Sequence, residues 1–145
     1  LKMYEINVKN PMVKVFFSYF DLERLELLEY KRRKAVNMFV EEIKNLKLPY
    51  FVLLFGSSAK GNYTAKSDID LIIVFDIFDK GVDNKIDKTK KNILSEIGLK
   101  VNPIVMRLDE FVKERENQQN YALQDAIAHG YAVFGNQLYY EVIFK

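Results

Sequence analysis

The chain has 145 residues, of which 49% are apolar and 14% aromatic, enough for one domain with a real core. Its 22 basic and 20 acidic side chains are interspersed and leave a formal charge of +2, so composition demands no polyanion-binding surface and direct nucleic-acid binding is not expected. There are no cysteines, which excludes disulfides and zinc–thiolate sites and leaves oxygen donors as the available metal chemistry. No apolar run approaches the roughly eighteen residues of a membrane span, and no signal-peptide pattern opens the chain, so a cytoplasmic protein without a membrane partner is expected.

Residues 3–9 alternate like a short strand. Asn10-Pro11 then reads as an N-cap followed by proline at the first helical position, predicting a helix over 11–20. From Asp21 onward Leu25, Leu28, Ala35, Val36, Phe39, Val40 and Ile43 recur every three or four positions, which predicts a long amphipathic helix closed by Pro49. The segments YFVLLF (50–55) and IDLIIVF (69–75) are short, aromatic or β-branched, and bounded by Gly, Ser and Asp, as buried strands are. A helix is predicted over 83–97 with Gly98 as its stop, a third strand over 99–106, and helices over 109–115 and 117–128, the last ending at Gly130. The closing segments YAVFG and LYYEVIF fit either type. The expected class is α/β (α+β): a strand-like stub and helices over 1–48 pack on or lead into a core over 49–145 of three strands with helices on them.

The stretch between the first two strands carries the chemistry. Asp68 and Asp70 are two apart, and in a strand such residues point to one face about 6–7 Å apart, so both carboxylates can converge on one divalent cation. A solvated Asp-x-Asp at a strand edge is the bland alternative. Against it, Asp70 lies inside IDLIIVF, where an unpaired carboxylate is costly unless a cation or hydrogen bonds offset it. Magnesium suits two carboxylates, filling its remaining positions with water and phosphate oxygens, and the Gly56-Ser57 turn offers exposed N–H groups and a hydroxyl to a phosphate chain. The combination fits a metal-bound nucleoside triphosphate.

Gly56-Ser57, ten residues, then Asp68-Ile69-Asp70 resembles the signature of the minimal nucleotidyltransferases of the DNA polymerase beta superfamily. The resemblance implies a nucleotidyltransferase fold with a small mixed sheet. It also implies ATP or another triphosphate bound with magnesium or manganese, and transfer of the nucleoside monophosphate to a hydroxyl with loss of pyrophosphate. Carried over by position, Asp68 and Asp70 are the metal ligands. Gly56, Ser57, Ser58, Lys60, Gly61 and Ser67 form the loop on the phosphates, Lys60 standing where such loops carry a basic residue. The pattern departs in one place, because the third carboxylate expected on the next core strand is replaced by Asn102, which can ligate a cation but brings no charge and takes no proton. Asp76 lies about 20 Å along the strand from Asp70 and Asp109 too far past the third strand, so neither replaces it.

Other features have plainer readings. The basic run Lys31-Arg32-Arg33-Lys34 is expected to be a solvated helix face, with Glu29 and Arg33 paired at i, i+4. His129 precedes Gly130 at a helix end, where the dipole favours a cation. The aromatics near both ends belong to a core or to an interface with a partner or second copy. The resemblance leaves two readings. In one, the chain is a transferase whose acceptor could be a partner protein, as in toxin–antitoxin pairs. In the other it is a catalytically weakened nucleotide-binding module, the C-terminal half of a winged-helix DNA-binding protein.

Overall fold

The computed structural model describes residues 3–145. Two 17-residue helices, α1 (Pro11–Leu27) and α2 (Tyr30–Leu46), lead into β1 (Phe51–Phe55) and the short helix α3 (Gly56–Lys60). Next come β2 (Ile69–Phe75), α4 (Gly81–Ile97), β3 (Val101–Arg107), α5 (Leu108–Glu114), α6 (Tyr121–His129), β4 (Tyr131–Phe134) and α7 (Asn136–Ile143). The class is mixed α/β. Residues 3–9 form no strand, contrary to the alternation of their side chains; they are mostly exposed and have no neighbouring strand with which to pair.

The first two helices divide at a different place from the one their sequence suggests. Asn10 caps α1 as expected, its side chain accepting from the Met12 N–H at 3.0 Å. The helix does not end near residue 20, however, but runs through Asp21 to Leu27, because Asp21 is taken up as a buried side chain instead of serving as a cap. The break falls at Leu28, and Glu29 opens α2 with its carboxylate accepting from the N–H groups of Lys31 and Arg32 at 3.0 and 3.1 Å. Glu29 is therefore a cap, and Arg33 pairs with Glu26 at 3.2 Å instead.

The sheet has the order β3-β2-β1-β4. β1 pairs antiparallel with β2 and β4, while β2 and β3 run parallel through the crossover helix α4. The alternation of side chains sends Val52, Leu54, Ile69, Leu71, Ile73 and Phe75 into a core shared with Ala35, Val36, Phe39 and Ile43 of α2 and Ile86 and Ile93 of α4. Phe51, Leu53, Phe55, Ile72 and Val74 face the other way, onto Phe111, Leu123, Tyr139 and Tyr140 of the C-terminal helices. With both faces covered, β1 is buried at all five positions, which is why its sequence shows no polar alternation. Among the described residues no helix is long and apolar enough to cross a membrane.

Candidate functional site

Register brings the candidate residues to one end of the sheet. Phe55, the last residue of β1, stands opposite Asp70, and Asp70 stands beside Asn102 on β3. Asp68 lies just ahead of β2, yet its carboxylate reaches the same place: the Asn102 amide donates from one Nδ2 to Asp68 Oδ2 at 3.0 Å and to Asp70 Oδ1 at 3.3 Å. Two carboxylate oxygens thus converge on a single donor. Burial, more than any other influence, raises the Asp70 pKa above the ordinary carboxylate value; the Asn102 hydrogen bond lowers it, and the negative charges of Asp68 and Asp125 add to the rise. Lys100 Nζ stands 3.9 Å from the same Asp68 Oδ2.

Gly56 closes the site from the β1 side. Its φ is +67°, and a Cβ built on it would come 2.4 Å from Asp70 Oδ2, so only glycine lets the turn pass against the carboxylate. Residues 56–60 wind into α3 and end at Gly61, whose φ of +78° gives the left-handed C-cap and whose N–H donates to the Ser57 carbonyl at 2.9 Å. Lys60 leaves this helix toward α6 and pairs with Asp125 at 2.7 Å.

Ser58 and Ser67 are not brought to the carboxylates. The buried Ser58 hydroxyl accepts from Arg32 Nη1 at 3.1 Å, and the Ser67 carbonyl accepts from Arg32 Nη2 at 2.8 Å. The Ser67 hydroxyl caps its own turn, accepting from the Thr64 N–H at 2.9 Å. Arg32 itself is only 2% exposed, so the basic run 31–34 is not a uniformly solvated face. A second arginine works nearby: Arg24 of α1 donates to the carbonyls of Ala59 at 3.1 Å, His129 at 2.8 Å and Gly130 at 3.3 Å, binding α1 to α3 and to the end of α6. Its guanidinium lies 4.2 Å from the centre of the Tyr131 ring, whose phenol burial pushes up to about 12.

Arg32 and Asp125 are not among the residues that the sequence motifs mark out. Arg32 precedes Ala35, Val36 and Phe39 by three, four and seven positions, the spacing of the buried stripe, so its direction was available in the sequence. Asp125 carries no such signal, because 65 residues separate it from Lys60. Among the described residues no group of three or more acidic or histidine side chains gathers as a metal cluster, in keeping with an amide at position 102.

The nucleotidyltransferase domain family profile matches residues 36–129, well over half of the chain. The chain belongs to the nucleotidyltransferase domain family. It is 37% identical over 83 residues to a Methanocaldococcus jannaschii protein named "Putative protein adenylyltransferase MJ0604", the match covering 56% of this chain and 79% of that one. A crystal structure described as that of "a putative nucleotidyltransferase from Sulfolobus solfataricus" aligns over 79% of this chain and 85% of its own at 25% identity, with a TM-score of 0.36. As a nucleotidyltransferase, the chain is an enzyme of nucleoside monophosphate transfer, in a family that generally uses divalent metals. The family match begins inside α2, so the helix that carries Arg32 starts just ahead of it.

Proposed function

We propose that this nucleotidyltransferase moves AMP from ATP to a hydroxyl of a protein acceptor, with magnesium or manganese as its cofactor. The observation that carries the reading is the meeting of Asp68, Asp70 and Asn102 at the end of the sheet, against a turn that only Gly56 can make. The choice of AMP and of a protein acceptor rests on the name of the M. jannaschii relative.

The residues present fit a hard divalent cation. Two carboxylates already share one donor position, and a turn of the Asn102 amide would present its oxygen there in place of the N–H. Asp68 and Asp70 are the ligands under this reading. A bound cation supplies neutralisation of the triphosphate and of the charge that develops as the phosphoryl bond breaks. Backbone N–H groups at Gly56 and Ser57 orient the phosphates. Lys60 offers a positive charge once it exchanges Asp125 for a phosphate oxygen. Asn102 takes no proton, so it acts by position and not as a base on the acceptor hydroxyl, whose proton passes to solvent as pyrophosphate leaves.

The first test is a calorimetric titration with each of the four ribonucleoside triphosphates, with and without magnesium, on the wild type and on Asp70→Asn. Magnesium-dependent binding, strongest for ATP and lost in the variant, is expected. No binding by any triphosphate would overturn the reading. The amide at position 102 favours a second reading, a nucleotide-binding module with little transfer of its own. In that case Asn102→Asp raises transfer sharply, whereas an efficient enzyme gains little from it.

The outer side of α1 exposes Phe16, Tyr19, Phe20 and Leu27, which supports contact with a protein, either the acceptor or a second copy of the chain. Molar mass in solution distinguishes the two.

A further inference from the structure

The spacing of Gly-Ser, ten residues, then Asp-x-Asp poses a physical problem. Pairing of β1 with β2 sets Phe55 opposite Asp70 and so fixes the two ends of this connection. It does not hold what lies between them, α3 and the turn at 64–67, which must keep a constant shape for the two halves of a metal–triphosphate to fit the turn and the carboxylates together.

The structure assigns this task to Arg32, as the positioning residue that braces the intervening segment, joining α3 at its phosphate end to the residue that precedes Asp68. Its guanidinium, reaching out of α2, donates through Nη1 to the hydroxyl of Ser58 at 3.1 Å and through Nη2 to the carbonyl of Ser67 at 2.8 Å. Ser58 and Ser67 are the first and the last of the ten intervening residues. The same Nη2 also takes the Thr64 carbonyl at 2.7 Å, and the Tyr63 ring covers the guanidinium with its centre 4.4 Å away. One planar fork therefore spans the loop from its beginning to the residue before Asp68.

The environment argues that this is more than packing. A charge only 2% exposed is costly to bury, and here the side chain is met by two carbonyls, a hydroxyl and an aromatic face, with no carboxylate among those partners. Lysine could keep the charge but not the fork, because an ammonium is a point donor without the fixed geometry that serves both ends at once.

This inference rests on the triphosphate-and-metal reading of the site, and its test separates the two. In the wild type, ATP is titrated with and without magnesium, and the ratio of the two affinities measures the coupling between metal and nucleotide. Arg32→Lys is expected to cut that ratio by about tenfold while leaving the magnesium-free affinity for ATP close to wild type. Trypsin should also cleave the variant faster after Lys66, inside the loop, at a temperature where its cooperative unfolding shows it folded. Should Arg32→Lys fail to fold, Ser58→Ala removes one end of the fork alone and is expected to lower the same ratio. If both variants fold, the pair combined loses no more than Arg32→Lys does, since both break one connection.

A folded variant with an unchanged ratio overturns the inference and leaves the functional reading standing. Equal losses with and without magnesium overturn it as well, because general loosening of the fold weakens both titrations alike. A wild type with no magnesium-dependent ATP binding overturns the functional reading, and the role of Arg32 with it.

Discussion

Gly56 is the residue at which backbone and chemistry constrain each other most closely. Its left-handed φ alone would cost a side-chain-bearing residue roughly 1–2 kcal/mol. The added Cβ would in turn push the Asp70 carboxylate aside, because 2.4 Å is closer than a Cβ can stand to an oxygen and the side-chain oxygen is the atom free to move. Gly56→Ala should therefore lower the unfolding midpoint modestly and magnesium-dependent triphosphate affinity severely, by tenfold or more on the order expected for a displaced ligand. Differential scanning fluorimetry and the same titration check both, and undiminished affinity would remove Asp70 from the site. At this scale the sequence was legible wherever a residue type has few other uses: the Gly-Ser turn, the paired aspartates and the amide on β3 all stand out. It was least legible where one residue of a charged run turns inward, as Arg32 does, because the run reads as a unit and the inward phase becomes evident only against the apolar residues that follow it.

Among the elements, α1 shows how a helix boundary drawn from apolar period alone can fall in the wrong place. The second helix is expected from Asp21 onward, yet Asp21 sits inside α1 and only 4% exposed, its Oδ2 accepting from the Tyr140 hydroxyl at 2.7 Å and the Asn136 amide at 3.4 Å. Those partners come from α7, more than a hundred residues away, and no local rule announces them. Burial raises the Asp21 pKa above its ordinary 3.8, outweighing the hydrogen bonds and the nearby Arg24. The folded chain thus holds this proton to higher pH than the unfolded chain does. The stabilising contribution of the neutral carboxyl is complete below about pH 3.8 and is lost as pH rises through the higher folded value. Asp21→Asn, which stays neutral throughout, should gain stability relative to wild type as pH climbs from there to neutrality. Unfolding midpoints of both proteins across that range provide the check, and parallel curves would show that Asp21 does not titrate differently on folding.

For the molecule as a whole, the strands β1, β2 and β3 were readable from short apolar runs with turn residues around them, but the sheet order was not, because pairing depends on contacts remote in sequence. β4 and α7 were ambiguous for a related reason: four residues are too few for a period, and the aromatics of α7 owe their burial to Phe17 and Phe51 elsewhere in the chain. The division of the chain near residue 48 is proposed as a boundary of role and not of folding. α2 fills the core over one face of the sheet with Ala35, Val36, Phe39 and Ile43, and Arg24 and Arg32 hold α3 from outside. A fragment of residues 49–145 should accordingly fail to fold cooperatively, as judged by circular dichroism on heating, and a sharp transition at a midpoint near wild type would make that segment an independent unit.

One consequence of the sheet concerns time rather than place. β1 is buried at every position and hydrogen-bonded on both sides, so its amide protons should exchange with deuterated water only when most of the molecule opens. Gly56 follows it directly. The inner end of the nucleotide loop is thereby fixed to the slowest-opening part of the protein, while residues 61 and 62 and 64–66 lie exposed a few positions on. Opening at the exposed positions 61, 62, 65 and 66 should cost far less than opening at Gly56, so exchange of their amides is expected to run ahead of that of β1 while the inner end of the loop keeps its place.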